Sequence, residues 1–222
     1  MGIEYRRPVT LLGIVPFTGQ VIFYDDFEGL FRWVKDQGSG AYVMELDPTI
    51  AFNGKQSLRM ETRTVGASDN DDITAYHRSH LLPSKTLTAT IHFNLPSVTP
   101  LGHLLFRFRS FDGAVQHEAD LYYNHTAGKW SYIDVNNAVQ SLTGSDGTLQ
   151  NLTWHRLVAK INFDTGFYTS LQINELEIDM SALAYYQSAN AANKQLLVHM
   201  NARANASAPV KINFAEVSLT EI

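Results

Sequence analysis

A chain of 222 residues, 45% of them apolar, can bury the core of one all-β domain, since sandwiches often reach this size. Its net charge of −5, with Lys and Arg dispersed except at Arg6-Arg7 and at Arg107 and Arg109, argues against a nucleic-acid-binding face. The absence of cysteine excludes disulfides and thiolate metal sites.

Residues 1–20 stand apart from the rest. They carry Pro8 and Pro16, no alternation, and an apolar run too short to form a core. The expectation is an extended N-terminal arm. It packs along its own domain or docks on a neighbouring subunit through Leu11, Leu12, Ile14, Val15 and Phe17. The run lacks the length and cleavage site of a secretory signal, so none is expected. No stretch approaches the ~20 apolar residues of a membrane span. Glycosylation triplets at Asn124, Asn151 and Asn205 read as chance without a secretory route.

From residue 21 to 222 the pattern is one domain of strands. Residues 21–24 lead into a polar run at 25–29, then 31–34, then a turn at 38–40. The stretch 42–46 ends at Asp47-Pro48, and Asn53-Gly54 marks a turn before 57–64. A polar loop at 66–72 precedes strands over 73–82 and 85–95. Asp112-Gly113 is a hairpin signal between 101–110 and 115–123, and 129–135 follows a turn at 124–128.

The clearest alternation runs over 154–163, with His155, Leu157, Ala159, Ile161 and Phe163 on one face. Asp164-Thr165-Gly166 supplies the short polar side chain and the positive-φ residue of a hairpin turn. Residues 167–173 and 176–178 extend the meander around Asn174-Glu175. Residues 181–187 form the one predicted helix, and 195–203 and 209–219 close the domain. About a dozen strands joined by short polar turns predict an all-β fold. It is a two-sheet antiparallel jelly-roll β-sandwich with one short helix and the N-terminal arm.

The run Asp25-Asp26-Phe27-Glu28-Gly29, Trp33 soon after, and residues 52–60 (Phe-Asn-Gly-Lys-Gln-Ser-Leu-Arg-Met) resemble the opening of jelly-roll carbohydrate-binding modules. Trp154-His155-Arg156-Leu157, with 164–166 and 171–174, is similar to laminin-G-like and concanavalin A-like sandwiches. Jelly-roll surface proteins of virions share this architecture. The likeness spans most of 21–222 and speaks to fold more than to function. It implies a structural calcium, for which Asp26, Glu28 and Glu216 are the matching oxygen ligands. Ala215 stands where the resembled proteins carry a carboxylate, and Glu216 is longer than their aspartate. The residues themselves therefore favour turn amides as partners of the early carboxylates. No other cofactor is expected.

Glu118, Asp120 and Tyr122 alternate onto one strand face, as the three carboxylates of some glycoside hydrolases do. Tyr122 occupies the third position, and a phenol of pKa ~10 does not replace that carboxylate. The eight histidines are scattered, with His77 and His80 on opposite strand faces. No phosphate, dinucleotide or nucleophile-elbow motif occurs. The chain is expected not to be an enzyme.

Sugar rings stack on exposed aromatics, and Tyr122, Tyr123, Trp130 and Tyr132 across the 124–128 turn are the candidate platform. The leading reading is a non-enzymatic subunit that builds or decorates a particle such as a phage-like virion, made in the cytoplasm. Its partners are then protein subunits in a homo-oligomer or capsid-like assembly. The alternative is a carbohydrate-binding module taking a polysaccharide through exposed aromatics. A degenerate glycoside hydrolase or lyase ranks last.

Overall fold

The computed structural model describes residues 19–37, 42–62, 71–80, 85–98, 100–147, 149–205 and 208–221. Leu11, Leu12, Ile14, Val15 and Phe17 lie outside the described residues, and with them the expected arm. Sixteen strands occur among the described residues: β1 (Gln20–Asp25), β2 (Val34–Gln37), β3 (Val43–Asp47), β4 (Ser57–Glu61), β5 (Asp72–Ser79), β6 (Thr86–Asn94), β7 (Leu101–Phe111) and β8 (Val115–Asn124). They continue as β9 (Lys129–Ile133), β10 (Val139–Ser141), β11 (Trp154–Asn162), β12 (Phe167–Ile173), β13 (Leu176–Asp179), β14 (Tyr186–Ala189), β15 (Gln195–Ala204) and β16 (Lys211–Glu221).

One sheet runs β13-β12-β11-β6-β16-β4-β3, with β1 along β16. The second runs β10-β9-β8-β7-β15-β5-β2, with β14 along β8. The core follows from the period of two. In the first sheet Leu87, Ala89, Ile91 and Phe93 of β6 and Leu157, Ala159 and Ile161 of β11 are buried. Leu104, Phe106 and Phe108 of β7 and Leu196, Val198 and Met200 of β15 meet them from the second sheet. Phe93, Phe106 and Phe214 form the aromatic centre, with ring centroids 5.5, 6.5 and 6.4 Å apart. Each such burial contributes about 1.5–3 kcal/mol.

The meander closes as its turn residues require. Gly166 takes φ 82° between β11 and β12, and Asn174 takes φ 53° between β12 and β13. The predicted helix over 181–187 is not formed. Ala184 instead bridges to Phe167, and Tyr186 begins β14. The Tyr168 amide donates to the Leu183 carbonyl at 2.9 Å, and the Tyr185 amide to the Gly166 carbonyl at 3.2 Å. Tyr185 is buried in the core. A segment this short has little helix stability of its own, and the open flank of β12 takes its backbone.

One cross-sandwich contact holds the second sheet together. Strand β8 changes neighbour partway: Leu121 pairs with Tyr132 on β9, whereas Glu118 pairs with Tyr186 on β14. Asp120 sits at the break. Tyr168 reaches from the first sheet, and its hydroxyl accepts from the Asp120 amide at 3.0 Å. The same hydroxyl lies within donating reach of the carbonyls of Asp120 (3.1 Å) and Ile133 (3.2 Å). Backbone groups that lack a strand partner are thereby satisfied inside the core.

Candidate functional site

Strand register lays out the solvent side of the second sheet as a grid. One row reads Val34, Tyr76, His199, Arg107 and Asp120 across β2, β5, β15, β7 and β8. On one side lies Thr74, Asn201, Leu105, Tyr122 and Ser131; on the other, Arg78, Leu197, Arg109, Glu118 and Tyr186. At ~4.8 Å per strand, the five-strand row is about 19 Å long.

Two arginines organise the middle of this grid. Arg107 Nε donates to both Asp120 oxygens at 2.9 and 2.8 Å, and its Nη2 to Oδ2 at 2.6 Å. Arg109 forms the same fork on Glu118, at 2.7 and 3.0 Å. Gln116 Nε2 adds a 2.6 Å bond to Glu118. Burial works against the Arg107 charge, but the Asp120 contacts outweigh it and raise its pKa. Burial pushes the Asp120 carboxyl up, while the Arg107 hydrogen bonds and charge oppose that shift. The two cations and two anions cancel.

Between these arginines and Tyr76 lies His199. Its ring stacks on Tyr76 with centroids 5.5 Å apart, and its buried Nε2 has no hydrogen-bond partner among the described residues. Burial, then the charges of Arg109 and Arg107, push its pKa down to about 4, so the imidazole is neutral. The Tyr122 hydroxyl donates to Asp120 Oδ2 at 3.0 Å, and burial followed by the Asp120 charge moves it up to about 12. Asn201 Nδ2 donates to Thr74 Oγ1 at 2.8 Å. The centre thus combines a stacked aromatic pair with guanidinium edges fixed by carboxylates, while the His199 Nε2 is shielded from solvent.

The expected aromatic platform does not assemble. Tyr122 faces solvent-side groups, whereas Tyr123 and Trp130 are buried in the core and Tyr132 packs against Tyr168 at 5.7 Å. The reason is register: Tyr123 pairs with Trp130, and Tyr132 with Leu121, so those three rings point inward together. Glu118, Asp120 and Tyr122 do share a face, but both carboxylates are committed to arginines. Sequence reading placed Tyr76 among the candidate stacking aromatics and His199 among the scattered histidines, but did not pair them, because they come from β5 and β15, far apart in the chain. A signal for the arginine lattice was present: the Asp112-Gly113 turn sets Arg107 opposite Asp120 and Arg109 opposite Glu118.

The early carboxylates are held by turn amides. Asp26 Oδ1 accepts the Glu28 amide at 3.1 Å, and Glu28 Oε1 accepts the amides of Lys55 and of Gln56, the latter at 2.9 Å. A Cβ at position 54 would strike that same oxygen, which explains the glycine of the Asn-Gly-Lys turn. Glu216 lies with Asn53 at 3.4 Å and beside His92. Among the described residues no three His, Asp or Glu side chains converge as a metal site.

This architecture is a two-sheet antiparallel jelly-roll β-sandwich. It is similar over 91% of the chain to an endo-β-1,4-glucuronan lyase from the fungus Trichoderma reesei, with 96% of that chain covered, a TM-score of 0.65 and 12% identity. A cellulose-induced protein matches 90% of this chain over 97% of its own, at TM-score 0.60 and 15% identity. Peanut lectin matches 85% over 97%, at TM-score 0.51 and 8% identity. No family model and no curated protein matches the sequence. Among the described residues no helix is long and apolar enough to cross a membrane.

Proposed function

We propose that this protein is a non-catalytic carbohydrate-binding protein that takes a polysaccharide across β5, β15, β7 and β8 on the solvent side of the second sheet. The row Tyr76, His199 and Arg107 carries the reading. It sets the stacked Tyr76–His199 aromatic surface beside a guanidinium fixed by Asp120. Sugars combine an apolar ring face with hydroxyls in fixed directions, and both find partners here. Cancellation of the two arginines by Glu118 and Asp120 suits an uncharged chain. The fold's likeness to a glucuronan lyase and to a lectin supports a carbohydrate role.

Binding without turnover is favoured by the acid–base properties of the face. A general base works best with a pKa near the working pH, whereas His199 sits at about 4 and Tyr122 at about 12. The particle-subunit reading rests on the arm, nearly all of which lies outside the described residues, and no observation among them favours it.

Affinity electrophoresis against neutral and uronate polysaccharides tests the proposal. At least one neutral polymer should retard the protein without release of reducing ends. A Tyr76→Ala/His199→Ala variant should bind about tenfold more weakly, as the loss of the stacking surface implies. No retardation by any polymer, or equal binding by the variant, would remove the reading; release of reducing ends would remove its non-catalytic half.

A further inference from the structure

The outer side of the first sheet carries an open pocket of about 260 Å³ that the second-sheet site does not involve. Alternation in β11 sends Trp154 and Arg156 outward, while His155 and Leu157 are buried. Register places His92 of β6 opposite Arg156, while Gln172 of β12 lies opposite Val158, two residues along β11. Phe52, on the turn before β4, leans over this surface. Its ring stacks on His92 with centroids 4.6 Å apart and meets Trp154 at 5.4 Å, yet it remains 38% exposed.

The polar half of the pocket is fixed from behind. The Arg156 amide donates to Asn174 Oδ1 at 2.9 Å, and the Asn174 amide to the Arg156 carbonyl at 2.8 Å. Gln172 Nε2 donates to the Asn174 carbonyl at 2.9 Å. The positive-φ Asn174 therefore positions the strand ends that carry Arg156, Gln172 and Glu175. Unlike Arg107 and Arg109, the Arg156 guanidinium meets no carboxylate among the described residues. Burial and the Arg156 charge push His92 down to about 4, so it is neutral. Its buried Nδ1 makes no hydrogen bond, with Glu216 Oε2 at 3.4 Å.

We propose that this pocket is a second, independent binding site, and that it takes one uncharged sugar ring, such as the terminal residue of a glycan. The ring's apolar face would lie on Phe52 and Trp154, and its vicinal hydroxyls would bridge Arg156 and Glu175. The volume lies just below the ~300–1,000 Å³ of sites for larger ligands, which suits one ring and not a chain. Glu175 lines the pocket as well as Arg156, so its lining carries no excess positive charge to hold an anion.

Trp154 supplies the assay, because Trp33 and Trp130 are only 4% and 2% exposed. Intrinsic fluorescence of the full chain is followed during titration with glucose, galactose, mannose and N-acetylglucosamine, each to about 50 mM. At least one sugar should give a saturable change that Trp154→Phe removes. Arg156→Ala and Glu175→Ala, both at the surface and each checked by melting temperature, should weaken it about tenfold or more. Tyr76→Ala on the opposite sheet should leave it unchanged, so failure here and failure of the polysaccharide site are read separately. Flat titrations with all four sugars would overturn the proposal, as would a signal that survives both surface variants or follows Tyr76.

Discussion

Replacing Tyr168 by Phe tests whether one hydroxyl ties the two sheets together and holds the candidate site. Tyr168 is buried, and its oxygen contacts the Asp120 amide, the Asp120 carbonyl and the Ile133 carbonyl at 3.0, 3.1 and 3.2 Å. Phe keeps the ring and its packing, so the cavity contribution is small. What is lost is the partner of a buried amide, and an orphaned buried donor costs about 1–3 kcal/mol. For a chain of this length each kcal/mol moves the midpoint by about 2–4 °C, so a fall of roughly 2–12 °C is expected. Because the orphan is the Asp120 amide, hydrogen exchange at that position should accelerate more than at Leu157 or Ile91 in the first sheet. Asp120 also aims Arg107, so polysaccharide affinity should fall with the loosened strand. Stability within about 0.5 kcal/mol of the parent, with unchanged exchange at Asp120, would refute the reasoning.

Three further outcomes follow from the structure. His92 and His199 are held at about 4 in the folded protein, against about 6.5 in the unfolded chain. Between pH 6.5 and 5 the unfolded chain binds protons that the native state refuses, so stability should fall on acidification. The slope is at most about 1.4 kcal/mol per pH unit per histidine, and His199→Gln should remove one proton from it in urea melts; a flat profile would contradict the neutral imidazoles. Trp130→Ala should cost about 3–5 kcal/mol by opening a core cavity, measured by chemical denaturation, and any loss of glycan binding should track unfolding. Because Glu28 already holds two turn amides, millimolar Ca²⁺ should shift the melting temperature by less than about 1 °C, whereas Glu28→Ala should lower it through loss of those charge-assisted bonds. A larger calcium-dependent rise would restore Asp26, Glu28 and Glu216 as ligands.

Local chemistry alone determined the class of this protein. Period-two alternation in 154–163 and the positive-φ residues Gly166 and Asn174 dictate an antiparallel meander before any long-range contact is known. The 52–60 motif likewise carries its turn glycine locally, although the carboxylate that meets it, Glu28, arrives from 26 positions earlier in the chain. Tertiary structure alone decided what the faces do. Alternation states that Tyr122 and Tyr123 point to opposite sides, but not which side is the core; Trp130 and Tyr132 follow whichever way register turns them. The segment at 181–187 became a turn and a bridge leading into β14, because β12 and β8 offered backbone partners that outweigh weak helical preference. The sites lay furthest from view. His199 stacks on Tyr76 across 123 positions of chain, and Phe52 lies over His92 and Trp154 from a third region, because sheet pairing joins residues by register and not by sequence distance.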